Sequence, residues 1–286
     1  MRYLAIQNAS LLETLATMSP QSSKTTLRSW VKEGRVSVDG EIAKRADQEV
    51  QKGQKVEVGP RPNLVTKGVE IVYEDPHLIV INKPIGMLSV ATAFEKGETA
   101  HAILKAKYRP KKVYVVHRLD QDTSGIMLFA LSEKAWEKLK NTFEKHAIDR
   151  KYCALVEGTV QSRSGSWRSY LWEDPNYVVR STPDPDKGRL AITHYRRKGI
   201  SKKYTWLELT LETGRKNQIR VQCADAGHPV LGDAKYGATA NPMKRLGLHA
   251  QYLAFDHPIT GKKMTFNSKI PAAFQKIIDR LEEEDA

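Results

Sequence analysis

Nine residues constrain this chain more than any others. The polar, turn-rich run His117-Arg118-Leu119-Asp120-Gln121-Asp122-Thr123-Ser124-Gly125 lies between two apolar runs, residues 113–116 and 126–131. Short apolar runs bounded by turn signals read as strands, so the nine residues form a loop that two strands present. Such a loop exposes its side chains at the edge of a rigid sheet, where a carboxylate and an arginine can meet a substrate. Asp120 is the first candidate for chemistry.

The chain has 286 residues, 40% of them hydrophobic, enough for one large domain and a smaller companion. Its formal charge of +13 favours a polyanionic partner, because neutralising phosphates releases counterions. Cys153 and Cys223 are the only cysteines, and neither has Cys or His neighbours at zinc-ligand spacing. A disulfide framework and a structural metal are therefore not expected, and a reducing cytoplasm fits. The start Met1-Arg2-Tyr3-Leu4-Ala5-Ile6-Gln7-Asn8 holds no apolar core of signal-peptide length, and no stretch reaches membrane-spanning length. A soluble, intracellular, monomeric protein is expected.

Residues 23–33 predict a helix with Leu27, Trp30 and Val31 on one face and Lys24, Arg28 and Lys32 recurring every fourth position on another. Gly34 closes it. Arg35-Val36-Ser37-Val38-Asp39-Gly40-Glu41-Ile42 predicts a strand and tight turn, and residues 54–58 another strand. The basic stripe alone is equally compatible with a solvated helix face. Helix, glycine, Arg-Val-x-Val-Asp-Gly and closing Lys-Val-Glu-Val together resemble the small αL RNA-binding module first known from a small-subunit ribosomal protein, over residues 12–58. The basic residue usual near the start of that module is replaced by Leu11-Leu12-Glu13. The stiff joint Gly59-Pro60-Arg61-Pro62-Asn63 marks a boundary between a module at 1–60 and a domain at 65–286.

In the larger domain, residues 69–75 and 78–84 predict two strands meeting at a turn, the second buried on both faces. The loop 85–90 follows, then a helix at 99–107 and the basic cluster Lys105, Lys107, Arg109, Lys111 and Lys112, a candidate phosphate track. Ser132 can cap a helix whose stripe of Trp136, Leu139 and Phe143 reads as core packing. Residues 150–158 return as a strand. Residues 161–203 hold short strand candidates at 167–172 and 177–180, with a loop at 181–186. Residues 204–212 alternate like a strand, residues 214–227 turn into a helix carrying Arg220, residues 248–255 form a strand, and Phe274, Ile277, Ile278 and Leu281 share a face of a last helix.

No Gly-x-x-x-x-Gly-Lys phosphate loop, Gly-x-Ser-x-Gly elbow or His-rich metal spacing occurs. Carboxylate chemistry remains. Asp122 is too near Asp120 in sequence to act as the opposed acid of a glycoside hydrolase. His117-Arg118-Leu119-Asp120 followed by Thr123-Ser124-Gly125 resembles the signature around the catalytic aspartate of RluA-type RNA pseudouridine synthases. Ile79-Val80-Ile81-Asn82-Lys83-Pro84-x-Gly86, Lys151-Tyr152-x-Ala154-Leu155-Val156-x-Gly158, Gly214-Arg215-x-x-Gln218-Ile219-Arg220, Gly232-Asp233-x-x-Tyr236-Gly237, Leu248-His249-Ala250 and His257-Pro258-x-Thr260-Gly261 agree in order and spacing. One position departs, with Asn217 where the family usually has His.

The resemblance implies an α+β fold: a long mixed, mainly antiparallel sheet, helices against it, and a central RNA cleft. It implies isomerisation of uridine to pseudouridine within structured RNA, without cofactor or metal, the base being detached, turned and rejoined through carbon. Asp120 would be the catalytic carboxylate, either attacking the sugar or removing a proton from it. Arg220 would keep it ionised and lower its pKa. Arg118 would fill the space the flipped uridine leaves, and Tyr152 would stack on the uracil. Lys24, Arg28, Lys32, Arg35, Lys111, Lys112 and Arg215 are the expected RNA contacts. The attached module favours ribosomal RNA over transfer RNA. The rival reading is a non-catalytic RNA-binding or ribosome-assembly factor that retains the fold.

Overall fold

The computed structural model describes residues 2–32, 35–59, 64–66, 68–92 and 98–285. The chain divides into two compact units, Met1–Leu64 and Val65–Ala286.

In the first unit, strands Arg2–Leu4, Lys55–Val58, Val36–Val38 and Glu41–Ile42 pair antiparallel in that order. The Val36–Val38 hairpin turns through Asp39 and Gly40, both at positive φ (51° and 88°), the geometry for which Asp-Gly is favoured. Asp39 then ties the turn down by accepting from Lys55 N–H at 2.8 Å. Helix Lys24–Lys32 matches the sequence-based expectation, with Ser23 Oγ accepting from Thr26 N–H at 3.2 Å. The expected stop at Gly34 lies outside the described residues. A second helix, Leu11–Met18, was not legible in the sequence, although Ser10 and Glu13 form a capping box at its start. Leu11, Leu15, Leu27, Val31, Val36 and Val56 form the core between helices and sheet.

The second unit is α+β. Its mixed sheet runs in the order Val179–Thr182, Ser164–Glu173, Arg189–Ile200, Tyr204–Leu211, Asp149–Glu157, Leu248–Asp256, Ser124–Ala130, Leu78–Lys83, Val69–Glu74. All pairings along this path are antiparallel except one, Ser124–Ala130 with Leu248–Asp256. Ser124–Ala130 is buried throughout and Leu78–Lys83 nearly so, as their apolar runs at 126–130 and 78–81 require. Helices Ala100–Lys107, Glu133–Glu144, Gln218–Asp225 and Ala272–Asp285 pack around this sheet, and Ser132 caps the second by accepting from Ala135 N–H at 3.4 Å.

Four expectations need correction. The loop read at 181–186 starts later, because Ser181 and Thr182 belong to strand Val179–Thr182 and pair with Leu171 and Tyr170. The strand before the nine-residue loop covers only Tyr114–Val115. The turn in the loop is Asp120 to Thr123, closed by Thr123 N–H on Asp120 O at 3.1 Å, whereas Ser124 and Gly125 already belong to the next strand. Residues 189–200, read as part of an irregular region, form a single long strand whose basic residues fall mostly on exposed or half-buried positions. Its alternation of Leu190, Ile192 and Arg196 against Ala191 and Thr193 is too uneven to be seen without its partners.

The parallel junction explains why the signature ends in glycine. Gly125 sits at φ +119°, and a Cβ there would lie 2.1 Å from the Ala250 carbonyl oxygen, a backbone atom that cannot yield. Gly125→Ala is expected to cost about 3 kcal/mol or more, from overpacking plus left-handed strain. Thermal denaturation should show this as a fall of roughly 6–12 °C.

Candidate active site

The nine-residue loop is gripped by the loop that follows strand Leu78–Lys83. Ser89 Oγ donates to Leu119 O at 2.6 Å and accepts from Leu119 N–H at 3.0 Å. Gly86 N–H and Lys83 Nζ each donate to Gln121 O at 3.0 Å. Lys83 is fully buried and also donates to Pro84 O and Met87 O, at 3.0 and 2.7 Å. Burial lowers its pKa to about 8, against the pull of the Asp122 and Asp120 charges. Asp120 is thus held by hydrogen bonds to the residues immediately before and after it. Lys83 and Ser89 were not singled out from sequence. The signal was the Asn-Lys-Pro-x-Gly motif itself, which gives no indication of where its lysine points.

Asp120, Arg118, Tyr152 and Arg215 line one cavity of about 570 Å³, together with His117, Thr123, Phe143, Arg150, Gly214 and Leu248 among others. Asp120 and Tyr152 meet because strand Asp149–Glu157 pairs with Leu248–Asp256, Tyr152 standing opposite Ala250, the residue that also faces Gly125. Arg118 and Arg215 are exposed. His117 is a structural anchor: its Nε2 accepts from Leu128 N–H at 2.9 Å and its ring stacks on Phe143 at 4.8 Å. Burial pushes its pKa down to about 3, with the Arg150 charge adding to the effect.

Arg220, on helix Gln218–Asp225, does not line the cavity but its charge acts on Asp120; it is clamped bidentately by Asp233, both bonds 2.7 Å, with its guanidinium over the Tyr236 ring at 5.0 Å. Burial works against its charge, but the Asp233 hydrogen bonds and carboxylate outweigh it and raise its pKa. Asn217 begins this helix at φ 53° in the left-handed region, where Asn is well tolerated. Its side chain donates to Tyr236 OH at 2.9 Å and accepts from Arg220 at 3.2 Å. Asn217 therefore does local structural work at the position where His is usual. Gln218 locks the helix to the sheet, accepting from Thr213 Oγ1 and Arg215 N–H and donating to Ile192 O and Thr193 Oγ1.

The expected depression of the Asp120 pKa is overturned. Burial raises it, and this outweighs the opposing charges of Arg220 and Arg118 and the hydrogen bond from Asn217 N–H; Asp233 adds a further upward push. Arg220 acts in the expected direction without setting the net result. Tyr152 is buried, and its phenol pKa is raised by that burial, opposed by Arg150 and reinforced by Asp120.

The other expected RNA contacts lie apart from this cavity. Lys111 and Lys112 are exposed, Lys112 lying over the Tyr114 ring at 4.7 Å. Lys24 and Arg28 are exposed on the first unit's helix, and half-buried Arg35 covers Trp30 at 5.1 Å while donating to Gly59 O at 3.3 Å. The Lys32 side chain lies outside the described residues. Among the described residues no helix is long and apolar enough to cross a membrane.

Comparison with known proteins adds two family matches: RNA pseudouridylate synthase over residues 77–225 and the S4 domain over residues 11–56. The uncharacterized RNA pseudouridine synthase YlyB of Bacillus subtilis (strain 168) is 33% identical over 288 residues, covering 93% of this chain and 92% of that protein. Ribosomal large subunit pseudouridine synthase D of Pasteurella multocida (strain Pm70) is 31% identical over 293 residues, covering 94% of this chain and 90% of that protein. The fold is shared with human RNA pseudouridylate synthase domain containing 4, at a TM-score of 0.61 and 21% identity over 74% of this chain and 92% of that one.

If Arg220 favours the ionised form of Asp120, Arg220→Met should move the acid limb of the pH–rate profile to higher pH and lower the rate by about 10²-fold or more. It should also destabilise the fold by about 3–5 kcal/mol, because Asp233 is left as an unpaired buried carboxylate. Arg220→Lys should give a smaller shift. Rates measured from pH 5 to 9 alongside denaturant titrations check both effects.

Proposed function

Since the chain belongs to the RNA pseudouridylate synthase family, with an S4 domain at its amino-terminal side, we propose that it converts uridine to pseudouridine in ribosomal RNA with Asp120 as the catalytic carboxylate. The observation that carries this reading is the convergence of Asp120, Tyr152 and Arg118 on one cavity, with the charge of Arg220, fixed by Asp233, acting on the carboxylate. A flipped uracil would stack on Tyr152, and Arg118, exposed beside the cavity, would occupy the vacated stack. Asp120 would act at the ribose either as nucleophile or as base, in both cases in its ionised form. Ribosomal RNA is favoured over transfer RNA by the names of relatives such as the Pasteurella multocida enzyme and by the attached S4 domain.

We assign residues 1–60 to RNA docking and 65–286 to catalysis, in a cytoplasmic monomer that uses no cofactor or metal. Lys24, Arg28 and Arg35 in the first unit, and Lys111, Lys112 and Arg215 in the second, would carry phosphate contacts.

Asp120→Asn should bind RNA within a few-fold of wild type and melt no lower, since it replaces a buried carboxylate of raised pKa with a neutral isostere, yet form no pseudouridine. Pseudouridine mapping on ribosomal RNA from cells lacking the gene, treated with each purified protein, reads the result directly. Normal modification by the variant would sink the assignment. A second outcome concerns docking: Lys24→Gln with Arg28→Gln should reduce the salt dependence of RNA binding by about 1–2 in slope while leaving the single-turnover rate at saturating protein unchanged. Filter binding across a salt series checks it.

A further inference from the structure

Arg150 has no role in the account above, and its surroundings are unusual for a cation. It is only 7% exposed and lines the catalytic cavity. Its Nε has no hydrogen-bond partner, and among the described residues its guanidinium makes no hydrogen bond and no ion pair with a carboxylate. Its neighbours are the Phe143 ring, 5.5 Å from Cζ, and Gly214, where a Cβ would come within 2.6 Å of Nη1. Gly214 thus leaves room for a guanidinium that no carboxylate among the described residues neutralises. Burying an uncompensated charge is costly, so a cation kept in this state is matched by an anion that arrives with the ligand.

Two anions are available in the proposed reaction: an RNA phosphate and the detached base. Position decides between them. Arg150 and Tyr152 are two residues apart on one strand and both face the cavity, so the guanidinium lies beside the ring on which the uracil would stack. Tyr152 feels the charges of both Arg150 and Asp120, and all three line the same cavity. Sugar at Asp120 and ring on Tyr152 would therefore put the far edge of the base towards Arg150. Phosphates belong to a continuing chain and stay near the mouth of the cavity, where exposed Arg215 suits them.

We infer that Arg150 is a catalytic residue of this reaction, holding the negative charge of the detached uracil. This rests on the pseudouridine synthase reading of the site. As the C1′–N1 bond breaks, N1 keeps the bonding pair and the base becomes a uracil anion, its charge shared with the ring carbonyl oxygens. That holds whether Asp120 bonds to C1′ or takes the C2′ proton. The Arg150 N–H groups donate to that anion while the base turns. C5 then gives a pair to C1′ as the Asp120–C1′ bond breaks or, on the other route, as C2′ takes back its proton from Asp120; the C5 proton leaves and N1 gains a proton, so the product is an isomer of the starting uridine. Thr123 Oγ1, also buried in this cavity wall without a partner, is a second donor for the same base.

The test uses the full chain, with wild type, Arg150→Met and Arg150→Lys compared on ribosomal RNA from cells lacking the gene. Three quantities are measured: single-turnover pseudouridine formation, RNA affinity across a salt series, and melting temperature. Arg150→Met should lose about 10²–10³-fold in rate, the size expected for one preorganised donor at developing charge. Its RNA affinity should stay within about threefold of wild type with an unchanged salt slope. Its melting temperature should be equal or higher, because a structural residue would lower it whereas an uncompensated cation would not. Arg150→Lys should recover at least about tenfold over Arg150→Met, since charge without the planar fork retains part of the effect. The inference is overturned if Arg150→Met keeps its rate, or if both variants melt well below wild type. It is also overturned if Arg150→Met weakens binding with a salt slope lower by about 0.9, the mark of a phosphate contact. A wild type that forms no pseudouridine would take down the proposed activity together with this role, whereas an active wild type matched by Arg150→Met removes only the role.

Discussion

The catalytic unit depends on one close crossing of two strands. Ser124 and Gly125 pair with His249 and Ala250 in the one parallel step found among the described residues of the main sheet path, and there the antiparallel half carrying Tyr152 meets the half carrying the Asp120 loop. Ala250 lies between Gly125 on one side and Tyr152 on the other. The junction is reinforced by side chains: Ser124 Oγ bonds His249 Nδ1 at 2.8 Å and accepts from Arg245 at 2.7 Å. Because pairing at this point requires backbone contact that no side chain survives, a single glycine fixes how far Asp120 stands from Tyr152.

Arg220 gains its effect from being held away from the carboxylate it serves. A direct bidentate pair with Asp120 would occupy both carboxylate oxygens and leave nothing for a ribose. Asp233 takes that pairing instead, with Tyr236 and Asn217 completing the cradle, so Arg220 contributes charge but not a fork. The cost is that Asp233 also pushes the Asp120 pKa up, in the same direction as burial. The carboxylate is consequently balanced between dehydration, which favours its neutral form, and Arg220, Arg118 and the Asn217 N–H, which favour the ion. A ligand that carries its own charges into the cavity is in a position to shift that balance.

What the sequence disclosed follows from the range of each interaction. Hydrophobic period and turn chemistry are local, so helices such as Lys24–Lys32 and Glu133–Glu144 and the buried strand Leu78–Lys83 were legible. Asp120, Tyr152 and Arg118 were identified through motif spacing, and one cavity gathers them. Helix Leu11–Met18 was missed although its Ser10–Glu13 capping box is written in the sequence, because its apolar face is short. Strand Arg189–Ile200 was obscured because its exposed positions are basic and its register is set by residues far along the chain. The polarity of the Asp120 shift was misjudged for a related reason: a charge partner can be inferred from a motif, whereas the depth of burial is a property of the assembled cavity.

Burial also explains a contrast among the motifs. His257 accepts two backbone N–H groups at Nδ1, from Ile259 and Thr260, so its proton sits on Nε2 and faces Asp75 at 2.8 Å. Lys83 uses all three of its protons on carbonyl oxygens. These groups are fully partnered by the protein, and their work is to hold loops in place. Among the described residues Thr123 Oγ1, Arg150 Nε and His249 Nε2 are buried without a partner, and the first two line the cavity that holds Asp120. A fold selected only for stability would have filled or removed such positions, since an orphaned polar atom gains nothing until something binds. Two of the three unsatisfied groups therefore sit in the wall of the Asp120 cavity, whereas His249 Nε2 lies at the parallel junction outside its lining.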